Sequence, residues 1–332
     1  MTSFRAGHPS WRCLFCIAAG PRVGYGHLMR ASALARCLDM EVAIALRGGR
    51  AARQAASAVA PLVDGPEAWR TADVIVVDDP NHRAGARWVA RARRAGLPVV
   101  SVHDDIRVHD ASVAVIGALG VPAPRTATPL LYGTRYYLLD PRIAGARHLR
   151  ADRAATPAPV VLIALGGGQH VVAVAQSLVD AILAHRPDAD IQVAAGFAAG
   201  ERPSLRGARW LRVRTGLTRA LLAADAAIVA GGVTLYETCA LGVPAVAMAV
   251  VPAQRPAIRA FARAGAVIDA GDVSSSRAAI AAAAAGVSRV LGNRRLRQSL
   301  ARHARQLVDG QGAARVARSV RALVAERTRR CA

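Results

Sequence analysis

The sequence predicts an α/β protein made of two doubly wound domains, each built on a parallel sheet. Short apolar, β-rich runs alternate with helical patterns along the chain, which is how parallel strands joined by crossover helices read. A length of 332 residues is long for one core and comfortable for two. A strand–glycine–helix unit also occurs twice, on either side of a stretch rich in Arg, Ala and Pro. The expected organisation is a first domain over 1–145, a linker over 146–159 and a second domain over 160–332.

The first unit begins with the apolar run Cys13–Ala19 and turns at Gly24-Tyr25-Gly26-His27-Leu28-Met29-Arg30. Leu28, Ala31, Ala35 and Leu38 then share one helical face. Glycines at Gly24 and Gly26 allow a sharp turn and close ligand approach. The helix start that follows gathers unpaired N–H groups, which suit an anion. Met29 stands where a third glycine would complete the dinucleotide fingerprint, so the pattern does not predict NAD binding. His27 lies at this junction. Imidazole there suits proton transfer near neutral pH, and it also serves as a cap or packing group.

Strands are expected at Val42–Leu46, Val74–Val77, Val99–Val102 and Ser112–Ile116, with a basic helix over Trp88–Ala95. Ligands bind at the carboxyl ends of strands in such sheets. His27, Asp78, Asp79, His103, Asp104 and Asp105 would all lie along that edge. Asp79 and Asp105 suit helix caps or turns equally well.

The second half starts with a buried strand, Val160–Leu165, and the turn Gly166-Gly167-Gly168, whose backbone could cradle phosphate. Strands follow at Ile191–Ala195, Leu211–Val213, Ala226–Ala230 and Ala245–Val251. Gly231-Gly232-Val233-Thr234-Leu235-Tyr236-Glu237 opens a helix that ends at Gly242 and is stopped by Pro244. Thr234-x-x-Glu237 admits two readings. It is a capping box in spelling. Alternatively Gly231, Gly232 and Thr234 hold a diphosphate while the Glu237 carboxylate accepts two ribose hydroxyls. Two helices, Leu291–Leu307 and Ala313–Ala325, close the chain.

The hydrophobic fraction is 53% with 4% aromatic residues, which excludes disorder and favours helices on buried strands. The formal net charge of +22 comes almost entirely from arginine. The arginines are scattered along helices with few aromatics between them, so nucleic acid is not the expected partner. The same field would draw in a nucleoside diphosphate. Cys13, Cys16, Cys37, Cys239 and Cys331 form no metal-ligand pattern, and Cys13 and Cys16 would point to opposite faces of a strand. They read as reduced thiols of a cytoplasmic protein. No apolar run reaches the roughly 18 residues of a membrane span. Leu14–Ala19 is too short for a secretory core. No cofactor or metal is implied, and the oligomeric state is left open.

Taken together, these motifs resemble the nucleotide-sugar hydrolases of the pseudaminic and legionaminic acid pathways and, more distantly, the MurG-type glycosyltransferases. Gly24–Arg30 matches G-x-G-H-x-x-R, and the segment Leu131–Leu139, with Tyr137, is similar to G-x-x-Y-x-x-L. Gly231–Glu237 resembles G-G-x-T-x-x-E, and Asp309–Val316 resembles D-G-x-G-x-x-R-V. The resemblance implies a GT-B-like fold, two Rossmann-like domains facing across a cleft. It implies UDP held by Gly166, Gly167, Gly231, Gly232, Thr234 and Glu237, and a UDP-activated sugar near Gly24, Gly26, Arg30, Asp78, Tyr137 and Gln254. It makes His27 the base that activates water. A glycosyltransferase, or a binding protein without turnover, would use the same cleft. The chain departs from the hydrolase pattern at Pro80, where a tyrosine is usual, at Ala253, where asparagine is usual, and near Gln169, where the family's glycine loop carries Asp. These departures imply a kept nucleotide grip with an altered sugar pocket.

Overall fold

The computed structural model describes residues 11–64, 67–150, 158–166, 170–196, 202–211, 216–272 and 277–331. Gly167, Gly168 and Gln169 lie outside them.

The first sheet contains β1 (Arg12–Ala18), β2 (Glu41–Arg47), β3 (Val74–Asp78), β4 (Val99–Val102), β5 (Val113–Ile116) and β6 (Leu130–Tyr132), in the order β2-β1-β3-β4-β5-β6. The second contains β7 (Val160–Ala164), β8 (Asp190–Ala194), β9 (Ala208–Leu211), β10 (Ala226–Ala230), β11 (Ala245–Ala249) and β12 (Ile268–Asp272), in the order β12-β11-β10-β7-β8-β9. Neighbouring strands are parallel throughout both sheets. The strands β3, β7, β10 and β11 are almost wholly buried, which is why they read as continuous apolar runs rather than alternating ones.

The helices of the first half are α1 (Gly26–Ala35), α2 (Arg50–Ser57), α3 (Glu67–Arg70), α4 (His82–Arg94) and α5 (Pro141–Ala146). The second half has α6 (His170–His185), α7 (Thr218–Ala223), α8 (Val233–Leu241), α9 (Arg255–Arg263), α10 (Arg277–Gly292), α11 (Arg294–Leu307) and α12 (Gly312–Cys331). Apolar clusters line the two faces of each sheet. Cys13, Phe15 and Ile17 of β1 enter one cluster, while Leu14 and Cys16 enter another, as the two-residue strand period requires.

The last helix corrects the expected domain boundary. Val316, Val320 and Val324 of α12 are buried in the core of the first domain, not the second. Arg321 fastens the helix there through Nη1 to the Cys37 carbonyl at 2.9 Å. Spacing of apolar residues identifies an amphipathic helix but not the sheet that receives it. The start of the expected linker is also docked. Arg147 donates to the carbonyls of Val308 and Arg305 at 3.0 and 2.9 Å, and Arg150 to that of Ala224 at 2.9 Å. Among the described residues no helix is long and apolar enough to cross a membrane.

Candidate functional site

Each sheet has one point where the strand order reverses, between β1 and β3 in the first and between β7 and β10 in the second. Crevices open beyond the carboxyl ends of strands at such points. His27 follows β1 and Asp78 ends β3, so both flank the first crevice. Gly166 follows β7 and Gly231 follows β10, so both flank the second.

In the first crevice, Gly24 takes φ +85°, a left-handed value that favours glycine, and exchanges two backbone hydrogen bonds with Gly20 at 3.0 and 2.7 Å. This closes the turn that delivers α1. His27 is the second residue of that helix, and its Nδ1 lies 2.7 Å from Oδ1 of Asp78. A carboxylate can only accept, so Nδ1 is the donor to Asp78 and Nε2 is the ring nitrogen left free of this contact. Arg30, one turn on, donates to the same carboxylate through Nε at 2.9 Å and Nη2 at 2.7 Å. Nη2 also approaches His27 Nδ1 at 2.7 Å, and that contact is two donors sharing one acceptor. The far side of the guanidinium is held by Asp104, with Nη2 donating to Oδ2 at 2.9 Å. Burial alone would raise the Asp78 carboxyl, but Arg30 and then His27 outweigh it and hold it at about 2. Asp78 is therefore a fixed anion beneath the imidazole.

The bordering residues do structural work. Asp79 accepts from Arg47 Nε at 2.8 Å and from the Asn81 amide at 2.8 Å, and Asp105 accepts from the Arg107 amide at 2.8 Å. Both therefore serve as turn residues. His103 faces Ser101 Oγ at 2.8 Å, and burial followed by the neighbouring His109 lowers it to about 4, so it is neutral.

In the second crevice, α8 starts at Val233 with Gly232 as N-cap and no side-chain cap. This corrects the capping-box reading, since neither Thr234 nor Glu237 closes the helix start. The Leu235 N–H donates to the Gly232 carbonyl at 3.0 Å, and the N–H groups of Val233 and Thr234 are left for another acceptor. Glu237 is 8% exposed, and its carboxylate has no hydrogen-bond partner among the described residues. Burial and then the charge of Asp140 raise it to about 7, against the opposing pull of Arg142. Gly231 is required by packing, because a Cβ there would lie 2.7 Å from Cβ of Gln254 and 2.9 Å from Cγ1 of Ile258. Gln254 in turn accepts from the Val250 amide at 2.9 Å and pins the β11–α9 turn against the glycine pair. Gly166 is exposed at φ +94° beyond β7, while Gly167 is outside the described residues.

The two crevices meet. A Cβ on Gly26 would lie 3.6 Å from Cγ2 of Val233, so the first turns of α1 and α8 face each other across the domains. Neither N-terminus has a side-chain cap. Tyr137 lies in the same junction, buried rather than open. Its ring stacks on Tyr236 with centroids 3.4 Å apart, and Tyr236 packs edge-on against Phe261. The Tyr236 hydroxyl accepts from the Leu119 amide at 2.8 Å. Sequence reasoning placed Asp104 on this edge but missed its hold on Arg30. It missed Arg142 altogether, whose only signal was its place after the helix-starting Asp140-Pro141 pair.

No protein-family model matches the chain. The spore coat polysaccharide biosynthesis protein SpsG of Bacillus subtilis is 29% identical over 207 residues, 57% of this chain and 57% of that protein. The match thus spans little more than half the length of that relative. Among solved structures, MurG of Acinetobacter baumannii superposes with a TM-score of 0.63 over 94% of this chain and 99% of its own, at 17% identity. The chain has the GT-B fold. The glycosyltransferase SsfS6 of Streptomyces sp. SF2575, solved with thymidine diphosphate, shares it with a TM-score of 0.59 over 94% of this chain and 99% of its own, at 13% identity. In GT-B terms the first domain carries His27 and Arg30, and the second carries Gly231, Gly232, Thr234 and Glu237.

Proposed function

We propose that the protein hydrolyses a UDP-activated amino or deoxy sugar to the free sugar and UDP, with His27 as general base. The observation that supports this most is the meeting of two helix N-termini without side-chain caps. One bears an imidazole backed by a fixed carboxylate, and the other bears the unpartnered carboxylate of Glu237. The free N–H groups and positive ends of α1 and α8 favour a diphosphate between them, each helix contributing up to ~2 kcal/mol where partly buried. Glu237 accepts from the ribose hydroxyls.

Nε2 of His27 takes a proton from water as its oxygen attacks the anomeric carbon. The bond from that carbon to the β-phosphate oxygen breaks, and its electron pair leaves with UDP. The imidazolium that forms is stabilised by Asp78, while the α8 N–H groups take up charge growing on the diphosphate. Arg30, clamped by Asp78 and Asp104, holds the Asp78 carboxylate in place. Support for a nucleoside diphosphate comes from the thymidine diphosphate complex of a protein with the same fold. Support for a role in sugar metabolism comes from the partial match to a polysaccharide biosynthesis protein.

A second reading, transfer to a hydroxyl acceptor, is favoured by the glycosyltransferases among the structural neighbours. The same base serves either nucleophile. A panel of UDP-sugars, with and without alcohol acceptors, separates the two. UDP release in buffer alone supports hydrolysis, release only with acceptor supports transfer, and binding without release removes both.

A further inference from the structure

A cavity of about 520 Å³ lies away from the cleft, between the 147–150 segment, the α8–β11 turn and α11. Asp225 precedes β10 and Pro244 precedes β11, so the cavity sits at the amino ends of the strands, opposite the edge that carries Gly231. Its lining residues include Arg147, Arg150, Arg297, Arg302 and Arg305, with one acidic residue, Asp225.

Four of these arginines rest on backbone carbonyls. Arg147 donates to Val308 O and Arg305 O, and Arg150 to Ala224 O at 2.9 Å. Arg297 donates to Leu291 O at 2.6 Å, and Arg305 to Leu241 O at 3.0 Å and Arg147 O at 2.9 Å. Carbonyl oxygens fix the planes of these guanidinium groups. Burial and then the charge of Arg305 pull Arg147 below its ordinary value, a sign that like charges are crowded. Arg302 is exposed at the mouth and makes no hydrogen bond or ion pair among the described residues. The return crossing also starts here: Val308 is still buried in the second core, whereas Ala313 is buried in the first.

We propose that this cavity binds a small phosphorylated anion, a pyrophosphate or phosphomonoester, where the 147–150 segment meets the start of the return crossing. Fixed guanidinium planes match phosphate oxygens with little ordering cost. The volume falls within the usual range for a small-molecule site. An anion there would neutralise the Arg147–Arg305 repulsion and tie the 147–150 segment to the start of the return crossing.

The test is calorimetric titration of inorganic pyrophosphate into the wild type, Arg302→Glu and Arg83→Glu. Arg83 is exposed on α4 in the other domain, so its variant makes the same change in net charge far from the cavity. The expected result is saturable binding to the wild type, weakened by about tenfold or more in Arg302→Glu and by less than about twofold in Arg83→Glu. Gln306→Glu, also at the lining, should weaken it in the same direction as Arg302→Glu. No saturable binding to the wild type, equal losses in Arg302→Glu and Arg83→Glu, or binding only to anionic phospholipid vesicles would each overturn the proposal.

Discussion

Asp78 and Glu237 are buried carboxylates with opposite fates, and the difference lies in their partners. Asp78 receives Arg30 and His27 and stays ionised down to about 2. A carboxyl held below its unfolded value stabilises the fold above that unfolded value. The contribution is lost as pH falls through the folded one, so it should disappear between about pH 4 and 2. Asp78→Asn leaves the buried Arg30 charge short of a partner and should cost about 3–5 kcal/mol, read as a lower urea midpoint at pH 7. Glu237 has no partner and is raised to about 7. Its sign is reversed: the folded state holds the proton longer, so the carboxylate costs stability as pH rises through the window from about 4.5 to about 7. Glu237→Gln should therefore raise the melting temperature at pH 8 and leave it unchanged near pH 4. The same variant should weaken UDP about tenfold or more in calorimetric titration, because a neutral amide is the poorer acceptor for ribose hydroxyls. Stabilisation without loss of affinity would make Glu237 a burdened core residue rather than a ligand.

At the scale of elements, α8 matters through what it lacks, since no side chain satisfies its first N–H groups. Its approach is set by Gly231, whose missing Cβ leaves room for Gln254 and Ile258. Gly231→Ala should push the turn before α9 away from the helix start, destabilising the protein by about 1–3 kcal/mol and weakening UDP. A melting curve beside a UDP titration checks both effects. The strands around this helix were legible in the sequence because strands buried on both faces are written as short apolar runs between turn residues. The edge that carries His27 and Asp78 was legible for the same reason, since polar residues directly after such runs must emerge together. The rest depended on distance in space. Thr234-x-x-Glu237 spells a cap whether or not the backbone uses it. Nothing near Arg30 announces Asp104, and the stacking of Tyr137 on Tyr236 needs both domains in place. The short β6 and the polar β12 carry too weak an apolar pattern to be read as strands.

For the whole molecule, the two domains are joined by more than their crossings. Helix α12 returns to the first core, Tyr137 stacks on Tyr236, and Gly26 faces Val233, so the proposed base and the proposed nucleotide grip belong to one junction. This division of labour predicts that chemistry and nucleotide binding separate by domain, with His27 governing turnover and α8 governing UDP. The most direct measurement is the rate of UDP release from a UDP-sugar that the wild type turns over, in buffer without acceptor, for wild type and His27→Ala, each beside a UDP titration. The account predicts release by the wild type, a loss of ~10²–10⁴-fold in His27→Ala, and the same UDP affinity in both. Equal release rates in the two proteins would contradict it.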